Sequence, residues 1–347
     1  MQGDSFARAT WARVRDVASP WVELVDPLWT THVRHARIDS IRTETLTTRT
    51  LLLSPGAGWR RHVPGQFVEI GVEIDGRIFT RTYSITSPPE RRDGRISITV
   101  TAVGRVSRAL VYGSRCGDYV RIGLPKGEFT MTEPAPDRVL FVTGGSGITP
   151  VMGMLRTFEA RRAMPDVVHV HYARTKSDVI FALELALLSR DCPSYRVAVV
   201  TTHEGATDWQ FGREKLAAIA PDFAERQAWA CGPEPLLDAV AEVIPNVRVE
   251  RFRPKLLAPS NACGGRVRFG RSQRELDAGG ATPLLEIAER AGVSAPHGCR
   301  MGICHSCDAT MIQGSVRDLR TGKRIDEPGA RIQPCVCAAA GDVEIDL

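Results

Sequence analysis

Three cysteines fall within nine residues of the segment APHGCRMGICHSC, at Cys299, Cys304 and Cys307. Two more, Cys335 and Cys337, stand in IQPCVCAAAGDVEIDL at the C-terminus. A C-x4-C-x2-C run followed by one distant cysteine is the spacing that wraps the two irons of a [2Fe–2S] centre. Gly298, Gly302 and Ser306 are small enough to let backbone amides turn toward the sulfurs and stabilise a negative cluster. Four cysteines also suit structural zinc, but zinc ribbons bring paired C-x2-C knuckles, and here only Cys304 and Cys307 form one. His297 and His305 flank the run, and the cysteines suffice without them. Spacing leaves the fourth ligand open: 27 residues separate Cys307 from Cys335, and 29 separate it from Cys337.

Upstream, four further segments could do chemistry. VTGGSGITPVMGML follows a buried-strand run and opens a helix; Gly144, Gly145 and Gly147 allow close backbone approach to a pyrophosphate, and the helix start favours the anion. Thr143 precedes that turn, and Thr149 and Pro150 begin the helix. GRVSRAL, with Gly104, Val106 and Ser107, reads as a helix start with Ser107 as its N-cap. In ACGPEPLL, Cys231 precedes the turn formers Gly232 and Pro233; taken alone, Cys231 is equally a small buried apolar residue. HYARTKSDVIF follows a second strand, where Arg174 and Lys176 suit a 2′-phosphate; no acidic residue stands directly at that strand end to take a free ribose.

These residues need a scaffold, and the 347-residue chain is long enough for two or three compact units. Short β-type runs with turn signals between residues 36 and 133 (HVPGQFVEIGVEI, RIFTRTYSIT, RISITVTAV and DYVRIGLPKGEF) predict a small antiparallel barrel. From 134 to 254 strands alternate with helices: RVLFVTGG, ITPVMGMLRTFEARR, DVVHVHYA, VIFALELALLSR, YRVAVVTT and AWACGPEPLLDAVAEVI. That rhythm predicts a parallel sheet with helices on both faces. A linker at 255–262 then leads to a third unit, 263–347. Residues 1–35 read as an arm with an amphipathic helix and the tryptophans Trp11, Trp21 and Trp29, able to pack on the next domain or to meet a partner or a membrane surface.

Composition narrows the function classes. Net charge is +5, only five of 45 cationic residues are lysine, and no basic run stands out, so nucleic acid is not expected as a partner. No stretch approaches the roughly 20 apolar residues of a membrane span, and no signal core is visible, so a cytoplasmic location is expected. Cysteines in that compartment read as metal ligands or redox groups before disulfides.

HGCRMGICHSC with QPCV and the ending DVEIDL resembles the plant-type ferredoxin domain, which implies a β-grasp fold. In that family the distant ligand stands seven residues before the aspartate of the last strand; Asp342 then points to Cys335, with Cys337 as the alternative. RTYSIT resembles the R-x-Y-S signature of the ferredoxin–NADP reductase superfamily, and GRVSRAL, VTGGSGITP and ACGPEP match its other segments in the same order. The resemblance implies Arg81 on a flavin phosphate, Tyr83 against the isoalloxazine, Ser84 near the flavin N5, phosphate amides at Gly104, Val106 and Ser107, and Cys231 beside the nicotinamide C4. It implies a multidomain reductase carrying FAD or FMN, NADPH or NADH, and a [2Fe–2S] cluster. Its electrons would pass to a redox partner that activates oxygen. VELVDPLW and CVCAAAGDVEIDL look like actinobacterial reductases serving membrane fatty-acid desaturases; reductases of Rieske-type or other oxygenases share the same modules. A redox-sensing binding module that never turns over is the alternative of another class.

Overall fold

In the computed structural model of the protein, the described residues are 26–29, 33–204, 210–252, 256, 262–298, 300–302 and 305–347. The amphipathic helix expected in the arm and most of the expected linker lie outside them. They form two compact units, the second made of Arg251–Leu347 with the short piece Thr80–Thr82.

In the first unit, β-branched residues at alternate positions turn inward along short strands. The strands are β1 (His35–Thr45), β2 (Thr48–Pro55), β3 (Phe67–Ile74), β4 (Arg77–Ser84), β5 (Ile96–Thr101) and β6 (Tyr119–Ile122). They line up in the order β4-β3-β6-β1-β2-β5. The residues just past β4 close the ring: Ile85 bridges Ile98 of β5, and the Thr86 amide donates to the Ser97 carbonyl at 2.8 Å. Ile38, Leu51, Leu53, Ile70 and Ile98 fill the interior and are fully buried. This is the expected antiparallel barrel, and closure leaves no open sheet edge at that seam. After β5 a short helix, α1 (Arg105–Arg108), turns back over the barrel and buries Val106. Of the arm, Pro27–Trp29 docks on the turn after β2, where the Ala57 amide donates to the Leu28 carbonyl at 2.6 Å.

The same unit continues into a second sheet. Its strands β7 (Arg138–Gly144), β8 (Asp166–Ala173), β9 (Tyr195–Thr201), β10 (Gln227–Cys231) and β11 (Arg248–Glu250) are all parallel, in the order β11-β10-β7-β8-β9. Helices α2 (Ile148–Arg161) and α3 (Ala182–Asp191) belong to one face, over Phe141, Tyr195 and Trp229. Helices α4 (Arg213–Ile219) and α5 (Glu234–Val243) bury Leu216, Leu237 and Val240 on the other, over Leu140 and Val142. The helix expected from Val179 begins only at Ala182, because Phe181 takes a left-handed φ of 64°. Neither α4 nor the three-residue β11 stands out in the sequence pattern.

The second unit has the β-grasp arrangement. Strands β12 (Gly265–Phe269), β13 (Arg274–Ala278), β14 (Ala309–Asp318), β15 (Arg324–Ile325), β16 (Arg331–Ile332) and β17 (Cys337–Ile345) form a mixed sheet, with β12 parallel to the last strand and α6 (Leu284–Arg290) buried against its core. The last strand starts at Cys337, five residues before the aspartate expected to open it. Among the described residues no helix is long and apolar enough to cross a membrane.

The parallel sheet is held at its N-terminal edge by one guanidinium. Arg226, with a side chain only 1% exposed, pairs with Asp222 at 2.8 Å and Asp166 at 2.7 Å. It also donates to the carbonyls of Asp166 at 2.9 Å and Val139 at 3.3 Å. Arg226→Ala leaves both carbonyls and both carboxylates without that donor. It is expected to lower stability by about 3 kcal/mol, read as a fall in the urea midpoint without a change in slope.

Candidate active site

Cys231, Thr143 and the two glycine turns of the first unit come together where β7 and β10 end. Strand register sets Glu250, Cys231, Thr143 and His171 side by side across four neighbouring strands. The two turns that follow lie backbone on backbone. A Cβ on Gly147 would collide with the Cys231 carbonyl, one on Gly144 would stand 2.8 Å from the Pro233 ring, and one on Gly232 would stand 3.0 Å from the Gly144 amide. These three glycines therefore pack the two turns against each other. Gly145 differs from them. Its φ is 52°, and no described residue lies within 4 Å of where its Cβ would be, so that side of the turn is open. Thr149 donates to the Ser146 carbonyl at 2.9 Å and stiffens the turn, with Pro150 in the first turn of α2.

Cys231 is fully buried, and burial drives its thiol well above the ordinary range, with Glu250 adding to the shift. Burial also raises Glu250 to about 8, so its carboxyl holds a proton at neutral pH, and among the described residues its Oε2 has no hydrogen-bond partner. Sequence reasoning missed Glu250. The only signal was RVE after a helix, three residues that mark a buried carboxyl only once β11 is known to pair with β10.

Beneath Thr143 lies a closed polar chain. Its hydroxyl is 2.8 Å from both His169 Nε2 and His171 Nδ1, and His169 Nδ1 is 2.9 Å from the Tyr195 hydroxyl. With neutral rings, Tyr195 donates to His169, His169 to Thr143 and Thr143 to His171, which uses every polar atom except His171 Nε2. Burial depresses His169 far below the ordinary histidine range and brings His171 to about 4.

At the end of β4, Tyr83 packs against the barrel core, and the Arg81 guanidinium donates to the Thr80 carbonyl at 2.8 Å. Ser84 is buried, and its hydroxyl has no hydrogen-bond partner among the described residues. An orphaned hydroxyl of this kind fits a ring nitrogen of a bound flavin. At the start of α1 the structure corrects one expectation: Gly104 is the N-cap, and Ser107 stands three residues inside. The Ser107 Oγ accepts from the amides of Val103 at 3.0 Å and Gly104 at 2.9 Å. Glycine has no side chain to cap with, so the hydroxyl reaches back from the first turn.

Beyond β8, Arg174 and Lys176 are exposed. Acidic groups join them from outside the strand end: Asp178 pairs with Arg174 at 3.4 Å, and the Glu204 carboxylate accepts from the Lys176 amide at 2.8 Å.

In the second unit Cys299 and Cys304 lie outside the described residues. Cys307 and Cys335 are both buried, with sulfurs 3.2 Å apart, and contact with Cys335 lowers the Cys307 thiol to about 7. Cys337 opens β17, where burial pushes its thiol up to about 12. The described thiols thus bring Cys335, not Cys337, against Cys307, and a soft pair so placed fits iron–sulfur ligation. Arg320 braces the loop: it donates to the Gly302 carbonyl at 2.7 Å, to Asp318 at 2.8 Å and to Gln333 at 2.9 Å. His305 is exposed, 3.2 Å from Asp308.

Comparison with known proteins gives three domain matches: an oxidoreductase FAD-binding domain at residues 52–131, an oxidoreductase NAD-binding domain at 141–242 and a 2Fe-2S iron-sulfur cluster binding domain at 268–340. The chain is 43% identical over 339 residues to an NADPH oxidoreductase of Mycobacterium tuberculosis, covering 94% of this chain and 88% of the relative. It is 31% identical over 317 residues to a glycine betaine monooxygenase reductase subunit of Pseudomonas aeruginosa, covering 82% and 86%. Among solved structures, phthalate dioxygenase reductase superposes with a TM-score of 0.66 at 25% identity, over 91% of this chain and 98% of that one.

The buried histidines make stability depend on pH. His171 takes a proton near 6.5 in the unfolded chain but only near 4 in the folded protein. As pH falls, the unfolded state is protonated first, so stability is intact above about pH 6.5 and declines toward pH 4, by about 3 kcal/mol from this group. The thermal midpoint of His171→Leu is expected to fall less steeply between pH 6.5 and 4.5 than that of the natural protein.

Proposed function

Because the chain belongs to the ferredoxin–NADP reductase superfamily, in its three-module branch of [2Fe–2S] flavoprotein reductases, we propose that it feeds electrons from NADPH to an oxygen-activating partner, in the leading reading a membrane fatty-acid desaturase. It is an oxidoreductase with FAD-, NAD- and 2Fe-2S-binding domains. The observation that carries the assignment of the site is that one compact unit holds three features: a Ser84 hydroxyl without a partner among the described residues, the open Gly145 turn and the buried Cys231.

In this reading Arg81 holds the flavin phosphate, together with amides at Gly104, Val106 and Ser107, and Tyr83 lies along the ring system. Ser84 gives its hydroxyl to N5. The turn Gly144–Gly147, entered from Thr143 and left through Thr149 and Pro150, takes the dinucleotide pyrophosphate, and Arg174 and Lys176 take the 2′-phosphate. Cys231, shaped by Gly232 and Pro233, would border the nicotinamide C4, where burial keeps its thiol protonated and lets it pack as a small neutral group beside the ring. When bound, nicotinamide supplies a hydride, flavin accepts the pair, and the cluster passes electrons singly. Cys299, Cys304, Cys307 and Cys335 hold that cluster. The residues themselves do no acid–base work: they orient two rings and keep water from the face between them.

The desaturase reading rests on the likeness of VELVDPLW and CVCAAAGDVEIDL to reductases of that kind. The names of the relatives, reductase subunits of a monooxygenase and a dioxygenase, favour a second reading with an oxygenase partner. Candidate partners mixed with the purified protein separate the two. Substrate-dependent NADPH oxidation with a desaturase and none with an oxygenase is the expected result; the reverse overturns the leading reading. A protein without flavin bands and an iron–sulfur shoulder in its visible spectrum would overturn the reductase reading altogether.

Two substitutions test the assignments. Cys335→Ser is expected to abolish or shift the cluster spectrum, whereas Cys337→Ser leaves it in place. Arg174→Ala is expected to raise KM for NADPH about tenfold, the scale of one charge-assisted phosphate contact, with little change for NADH.

A further inference from the structure

The contact between α2 and the segment that follows Ser84 is unusually close. A Cβ at Gly153 would stand 2.5 Å from the Ile85 carbonyl oxygen, so only glycine lets the helix reach this backbone. One turn further along α2, the Arg156 Nη1 donates to the Thr86 carbonyl at 2.7 Å. The rest of that guanidinium is fixed twice: it grips both oxygens of Glu184 on α3, at 2.6 and 2.7 Å, and lies 4.9 Å over the ring of Phe181. The Arg156 side chain is only 13% exposed and Glu184 26%, which limits screening by solvent. Thr157 caps the arrangement by donating to the Gly153 carbonyl at 2.7 Å.

The barrel holds the same segment from its other side. The Ile85 amide donates to the Gln66 carbonyl at 2.9 Å, and the Thr86 hydroxyl meets that of Ser97 at 2.8 Å. Residues 85–86 are therefore clamped between barrel and helix. Ser84 lies immediately before the clamp. The glycine turn that begins at Gly144 lies immediately before the helix that makes it.

We propose that Gly153 and Arg156 are positioning residues that fix the spacing between the nicotinamide and flavin rings by locking α2 to the backbone behind Ser84. The inference rests on the assignment of Ser84 and the Gly144–Gly147 turn made above. Neither residue touches the reacting atoms. They act through the two segments that do, and a shift of a fraction of an ångström between rings is enough to slow a transfer that requires near-contact geometry.

The test uses the purified holoprotein, with flavin and cluster content matched between variants, mixed anaerobically with NADPH in a stopped-flow instrument. Three quantities are read: the rate of flavin bleaching, the long-wavelength absorbance of the stacked flavin–nicotinamide pair, and KM for NADPH. Gly153→Ala and Arg156→Met are expected to slow bleaching about tenfold or more and to weaken the long-wavelength band, with KM changed less than about threefold. Arg156→Lys, which keeps a donor for Thr86, is expected to recover most of both signals. If Gly153→Ala does not fold, the Arg156→Met and Arg156→Lys pair decides alone. Bleaching and band unchanged in folded Arg156→Met overturn the proposal, as does a loss that simply follows KM. Natural protein that NADPH does not bleach overturns the site assignment itself, and this inference with it.

Discussion

Thr143, next to the last residue of β7, stands in register with Cys231 of β10 on one side and His171 of β8 on the other. Parallel strands that end level with one another must send their following turns into the same space. Side chains there would force the turns apart, and glycine at 144, 147 and 232 removes them. The rest of the site hangs on that close approach. It starts α2 at Ile148, sinks Cys231 out of water, and leaves Gly145 as the open side of the turn. The constraint is steric, so no polar contact substitutes for it.

The barrel and the parallel sheet solve different problems within one compact unit. Antiparallel strands bury one face and can close into a ring, and closure at Ile85 and Ile98 brings Ser84 to the seam. Parallel strands need covering helices, and those helices reach toward the barrel. Arg42 on β1 lies 3.5 Å from Glu184, while Arg161 bridges Glu90 at 2.8 Å and Glu133 at 2.6 Å. Most of these outer pairs are exposed and contribute little each. Apolar packing and the glycine contacts give the unit its stability; the charges refine where its parts rest.

In the second unit a charge takes the place of bulk. The loop between α6 and β14 carries few apolar residues, and Gly302 is in the left-handed region with φ of 70°. Arg320 fills the space beside it and joins three segments through Gly302, Asp318 and Gln333. The Glu289–Arg300 pair anchors the other end of the loop to α6. Cys307 and Cys335 meet inside this frame, Cys335 lying in the turn just before β17.

The sequence by itself determined the barrel and the parallel sheet, because alternation of apolar residues and the switch to strand–helix rhythm after residue 134 are local patterns that follow from backbone geometry. The β-grasp unit came instead from the resemblance of the cysteine segments to a ferredoxin domain. The same local rules failed where a neighbour decided. Val179–Phe181 reads as helix, yet Phe181 takes a left-handed φ of 64°, with its ring under the Arg156 guanidinium, and the helix starts only after it. Ser107 reads as a cap, yet it serves from inside the helix. Three-residue β11 carries no period of its own, so Glu250 became visible only when β11 was laid beside Cys231. Spacing from Cys307 leaves Cys335 and Cys337 open, and the ferredoxin resemblance favours Cys335 through Asp342; the fold seats Cys335 against Cys307 and commits Cys337 to a strand. Periodicity records what a segment needs from water. Which polar group loses its water, and beside which partner, depends on strands far apart in the chain, and only the tertiary structure brings them together.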